Sequence, residues 1–151
     1  MKASLILMII LGCASSSAET LQPIINATGT IYFEFDMASE ARADGVNFAK
    51  FIPDAESRSV FDAVADAYAT PFRYVSFEPA DRVLEKTLGK SEAEHISHGS
   101  QNQIAIRVRV QLKNLRPEIE CDSRVDYADL VSVNSLEHFQ IATNGSVPDG
   151  C

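Results

Sequence analysis

Gln103-Ile104-Ala105-Ile106-Arg107-Val108-Arg109-Val110-Gln111-Leu112 is the longest stretch of strict alternation in the chain. Ile104, Ile106, Val108, Val110 and Leu112 fall on one side of an extended chain, with Ala105, Arg107, Arg109 and Gln111 on the other. That period of two belongs to a strand with one buried face. Lys113-Asn114-Leu115-Arg116 then has the composition of a turn, and the next segment sets Ile119 and Cys121 against Glu118, Glu120 and Asp122. The pattern predicts a hairpin pairing Val110 with Ile119, Val108 with Cys121, Arg109 with Glu120 and Arg107 with Asp122, because a slip of one residue would bury carboxylates.

Toward the N-terminus, Thr30 to Asp36 alternates Ile31, Phe33 and Phe35 with Tyr32, Glu34 and Asp36, a first strand. Ala38 to Asp44 reads as a short helix and Val46 to Ile52 as another strand. From Asp54 to Ala69, Val60, Phe61, Val64, Ala65 and Tyr68 recur at helical spacing between Pro53 and Thr70-Pro71. Phe72 to Phe77 reads as a strand. Pro79 to Leu88 reads as a helix opened by Pro79, with Asp81 in its first turn and Gly89 as its stop. Leu130 to Val133 and Glu137 to Thr143 supply further strand material, ending at Asn144-Gly145. The expected class is α+β, a mainly antiparallel sheet with two helices packed on one face.

The first eighteen residues are of a different kind. Met1-Lys2 leads into the apolar run Ala3 to Leu11 and then into Gly12-Cys13-Ala14-Ser15-Ser16-Ser17-Ala18. This is the make-up of an export signal, too short for a membrane span. Ser16 and Ala18 suit signal peptidase cleavage, which leaves a single domain over residues 19–151. The alternative is a lipoprotein signal over residues 1–12, with Cys13 lipidated as the anchor, although Leu11 fits poorly before Gly12. The expected location is the periplasm or the secreted fraction, with membrane tethering as the second possibility and no transmembrane helix in the mature chain. In a eukaryotic secretory setting, Asn26-Ala27-Thr28 and Asn144-Gly145-Ser146 would be glycosylation acceptors.

An oxidising compartment makes a disulfide between Cys121 and Cys151 the simplest use of the two remaining cysteines. A formal net charge of -8 opposes nucleic acid and anionic lipid surfaces as partners. A protein or envelope partner is compatible with it.

Candidate chemistry is sparse. Arg107 and Arg109, two apart on an exposed strand face, are candidates for gripping a carboxylate or phosphate, with Arg73 joining them if its strand is adjacent. Pairing with Glu118, Glu120 and Asp122, or with Glu34 and Asp36, is the structural alternative. Ser91 to Gly99 holds two of the three histidines. If Ser91 caps a helix with Glu94 in the capping-box position, His95 and His98 share a face and are candidate metal ligands, with His138, Glu92 or Glu94 as a third. Asp62 and Asp66 suit a solvated helix face. There is no G-x-S-x-G elbow and no H-E-x-x-H helix, so no catalytic residue is assigned and no cofactor is expected.

Thr30-Ile31-Tyr32-Phe33-Glu34-Phe35-Asp36 resembles the opening strand of OmpA-like peptidoglycan-binding domains, with a helix and then a strand following, over about a quarter of the chain. Where that family has its Asp-bearing turn, this chain has Ser76-Phe77-Glu78-Pro79-Ala80-Asp81-Arg82, and the family's ligand-gripping Arg has no clear counterpart before Gln103. The resemblance is therefore set aside. The resulting expectation is an exported, non-catalytic binding or accessory protein. Its alternatives are a metal-binding protein using His95 and His98, and a small secreted hydrolase.

Overall fold

A computed structural model describes residues 23–35, 46–65, 72–97, 103–120 and 123–142. The segment expected to be an export signal, with Cys13, the helix expected at Ala38 to Asp44, Asp66, Tyr68, His98, Cys121, Asp122, Asn144 and Cys151 lie outside the described residues. In chain order the elements are β1 (Ile25–Glu34), β2 (Phe48–Pro53), α1 (Ala55–Ala65), β3 (Val75–Phe77), α2 (Ala80–Leu88), α3 (Lys90–Ser97), β4 (Gln103–Glu120), β5 (Ser123–Ser135) and β6 (Gln140–Ile141).

Among the described residues the class is α+β, built on a mixed, mostly antiparallel six-stranded sheet with three helices. β1 lies between β2 and β4, β3 follows β2, and β5 lies between β3 and β4. The β3–β5 pair is parallel, Val75 against Asp126 and Ser76 against Tyr127. These pairings join five strands into a ring, and β6 extends the β4 edge at Ile104 and Ala105. Partner by partner, Ile106 leads through Ile31, Phe51, Val75 and Asp126 back to β4 at Pro117. That displacement along β4 is the stagger a tilted, closed sheet requires.

The hairpin expected at Lys113 to Arg116 does not form. β4 runs on to Glu120, so Val110 pairs with Val133, Arg109 with Asn134 and Val108 with Ser135, while Ile119 lies opposite Arg124. Two irregularities replace the turn. Between Gln111 and Leu112 the partner on β5 skips Val131, and between Lys113 and Arg116 the extra residues are on β4, where Asn114 has a φ of 55°. Bulges bend and twist a strand without reversing it. They also move the inward positions from Ile104 through Leu112 to the half-buried Leu115 and Pro117. Ile119, expected in the core, is 60% exposed.

Where two helices packed on one face were expected, the described residues hold three. α1 packs on β1 and β2, α2 on β5 and β2, and α3 on α2. α1 carries Phe61 into the core while Val60, assigned there from helical spacing, faces outward. α2 begins and ends as expected, with Pro79 before it and Gly89 after it donating its N–H to Glu85. α3 starts one residue ahead of Ser91, because the Gly89 carbonyl already accepts from Ala93. Ser91 is thus inside the helix and caps nothing, and Glu94 faces Lys90 at 3.9 Å. Glu137 to Thr143 contributes only the short β6.

Inside the ring sits an aromatic core. Phe51 packs against Phe61 and Phe77 with centroids 6.2 and 6.3 Å apart, and Phe61 stacks on Phe72 at 5.0 Å. Ile31, Phe33, Ile104, Ile106, Val108 and Val110 are fully buried around them.

Candidate functional site

Because alternate residues of β1 and β4 fill the ring, the residues between them cover its outside. One row of partners crosses that surface: Ala105, Tyr32, Lys50, Ser76, Tyr127 and Arg116. At its Ala105 end, an open cleft of about 180 Å3 is lined by Thr30, Tyr32, Ala105, Arg107, Glu137, His138 and Gln140. Thr30 and Tyr32 come from the polar side of β1, Arg107 from β4, Glu137 and His138 from the bend that carries β5 into β6, and Gln140 from β6 itself.

Arg107 is held from two sides. Its Nη2 donates to Asp54 Oδ2 at 3.0 Å, and its Nη1 lies 3.8 Å from Glu137 Oε1. Asp54 is itself fixed by the backbone, its N–H donating to the Thr28 carbonyl and its carbonyl accepting from Ser57 and Arg58 at the start of α1. Neither acidic partner is among those the strand pattern offered. Arg109 lies on the same face outside the cleft, between Thr28 and Asn134. Arg73 is exposed ahead of β3, which is not a neighbour of β4.

His138 lines the cleft, whereas His95, Glu92 and Glu94 are exposed on α3. Among the described residues, no group of three or more His, Cys, Asp or Glu is arranged to hold a metal ion. Asp62 faces Arg58 across one turn of α1 at 3.8 Å.

Elsewhere on the outside, Lys50 Nζ lies 5.1 Å from the Phe48 ring centre and 5.2 Å from that of Tyr74. Tyr127 donates to Glu120 Oε1 at 2.5 Å while Arg116 stacks on its ring. That hydrogen bond, with burial and the nearby carboxylates added, pushes the Tyr127 phenol well above its ordinary value. Tyr74 is also raised, by burial first and by Glu120 second, against the opposing pull of Arg73. At the closure, Arg124 donates to Asp126 Oδ1 from Nε at 3.1 Å and from Nη2 at 2.5 Å, both side chains being about 1% exposed. Burial raises the Asp126 carboxyl even so, outweighing the guanidinium.

A second cleft of about 260 Å3 lies between α2 and β5, with Arg82 and Lys86 facing Glu78 and Asp129. Lys86 is occupied there by the Leu130 carbonyl at 3.4 Å. The outer cleft is the better candidate, because a guanidinium, an imidazole, a carboxamide, two hydroxyls and an aromatic ring converge on it. Arg107 was legible as a candidate from strand alternation, and Tyr32 stood on the polar side of its own strand. Asp54, Glu137 and Gln140 carried no local signal.

Comparison with known proteins gives no family model, no curated protein and no solved structure that matches this chain. Among the described residues, no helix is long and apolar enough to cross a membrane.

Proposed function

We propose that this chain is an exported, non-catalytic binding domain of the periplasm or the secreted fraction, and that it takes a small hydroxyl-rich ligand, one saccharide unit, in the outer cleft. The observation that carries the reading is the cleft itself: Tyr32, Thr30, Arg107, Glu137, His138 and Gln140 around about 180 Å3. Hydroxyl groups need donors and acceptors at alternating positions, and this set offers both beside an aromatic ring. Its size is below the roughly 300–1,000 Å3 of pockets for drug-sized molecules, which favours a single sugar residue over a cofactor.

Five-stranded barrels of the OB type bind oligonucleotides or oligosaccharides on the face of their second and third strands and adjoining loops, whereas this cleft lies on β1 and β4, so the saccharide reading rests on the cleft's own residues. A net charge of -8 disfavours the oligonucleotide. Saturation-transfer NMR with a panel of neutral and acidic monosaccharides tests the proposal. At least one sugar is expected to receive saturation, and Tyr32→Ala is expected to weaken it about tenfold, the loss of a ring contact and a hydrogen bond. A panel that receives no saturation from the folded protein overturns the reading.

A further inference from the structure

We infer that the ligand of the outer cleft is an acidic sugar carrying one carboxylate, and that Glu137 stands in for this carboxylate on Arg107; the inference rests on the saccharide reading above. Arg107 touches two carboxylates unequally. Asp54, hydrogen-bonded at 3.0 Å and held by the backbone at the start of α1, orients the guanidinium. Glu137, half exposed in the bend after β5, sits at 3.8 Å, beyond hydrogen-bonding distance.

Exposed ion pairs of this kind contribute little, so Glu137 is readily displaced. An incoming carboxylate that bonds Arg107 at hydrogen-bond distance gains the stronger, charge-assisted contact. Thr30, Tyr32, His138 and Gln140 line the same cleft and are left for the sugar hydroxyls. The chain's overall charge of -8 does not veto a single negative charge, because exposed charges beyond about 8 Å are largely screened at physiological salt. It does weigh against polyanions.

The test is an amide NMR titration of the full chain with glucuronate, glucose and acetate, for the wild type and for Glu137→Gln, Arg107→Gln and Arg107→Lys. Glucuronate is expected to bind about two- to fivefold tighter than glucose, the margin of one exposed charge-assisted contact. Glu137→Gln should tighten glucuronate about two- to fivefold relative to glucose. Both Arg107 variants should lose the preference for glucuronate, Arg107→Lys keeping the charge without the planar fork. Equal binding of glucose and glucuronate, or Glu137→Gln that fails to tighten glucuronate relative to glucose, overturns the inference and leaves the saccharide reading standing. Acetate binding as tightly as glucuronate overturns the saccharide reading while keeping the carboxylate. Cleft resonances that move with none of the three overturn both.

Discussion

Gly29 shows what a single position costs in this fold. A Cβ there would overlap the Ile52 carbonyl oxygen and come within 2.8 Å of the Phe51 ring and of the Pro53 backbone. Crowding from the neighbouring strand, not an unusual φ, excludes a side chain. Gly29→Ala is expected to destabilise by about 1–3 kcal/mol, the cost of overpacking a tight core, read from the urea midpoint. Asp126 makes a pH prediction. Its carboxyl is raised in the fold, so the stabilisation this group contributes is full below the ordinary Asp value of about 3.9 and is lost as pH rises through its higher folded value. Asp126→Asn should remove that segment of the stability-against-pH curve. A curve with the same slope in both proteins would show that Asp126 titrates normally.

β4 shows at the scale of an element which part of the fold was legible. From Gln103 to Leu112 every second residue is apolar, and the structure buries that set. The expected reversal at Lys113 to Arg116 failed because a turn and a bulge draw on the same residues: Asn114 takes a positive φ in either. What separates them is the partner strand, and the residues that pair with β4 beyond the bulges lie in β5, from Tyr127 to Ser123. The site was half legible for the same reason. Alternation exposes Arg107, but its carboxylate Asp54 is 53 positions away and reaches it only after β1 and β4 pair. The register is directly testable by nuclear Overhauser contacts. Val110 should show cross-strand contacts to Val133, and contacts from Val110 to Ile119 would restore the tight hairpin.

The whole molecule is held by closure, and nothing local announces it: the parallel contact of β3 with β5 joins residues about fifty positions apart in sequence. A Cys121–Cys151 disulfide, expected from the sequence, would close a loop of about thirty residues. Breaking it by Cys121→Ser is expected to cost roughly 3 kcal/mol in the chain-entropy model, measured by denaturation. Wild type recovered from an oxidising compartment should gain about two daltons on reduction if the bridge forms; an unchanged mass would show both thiols free.

Whether the outer cleft binds a sugar is read most plainly from amide chemical-shift mapping with a saturating monosaccharide. Shifts are expected to be confined to Thr30, Tyr32, Arg107, His138 and Gln140 and their strand neighbours, all of which line or flank that cleft. Shifts centred instead on Glu78, Arg82 and Lys86 would place binding in the cleft beside α2 and contradict the claim, as would a spectrum that no sugar moves.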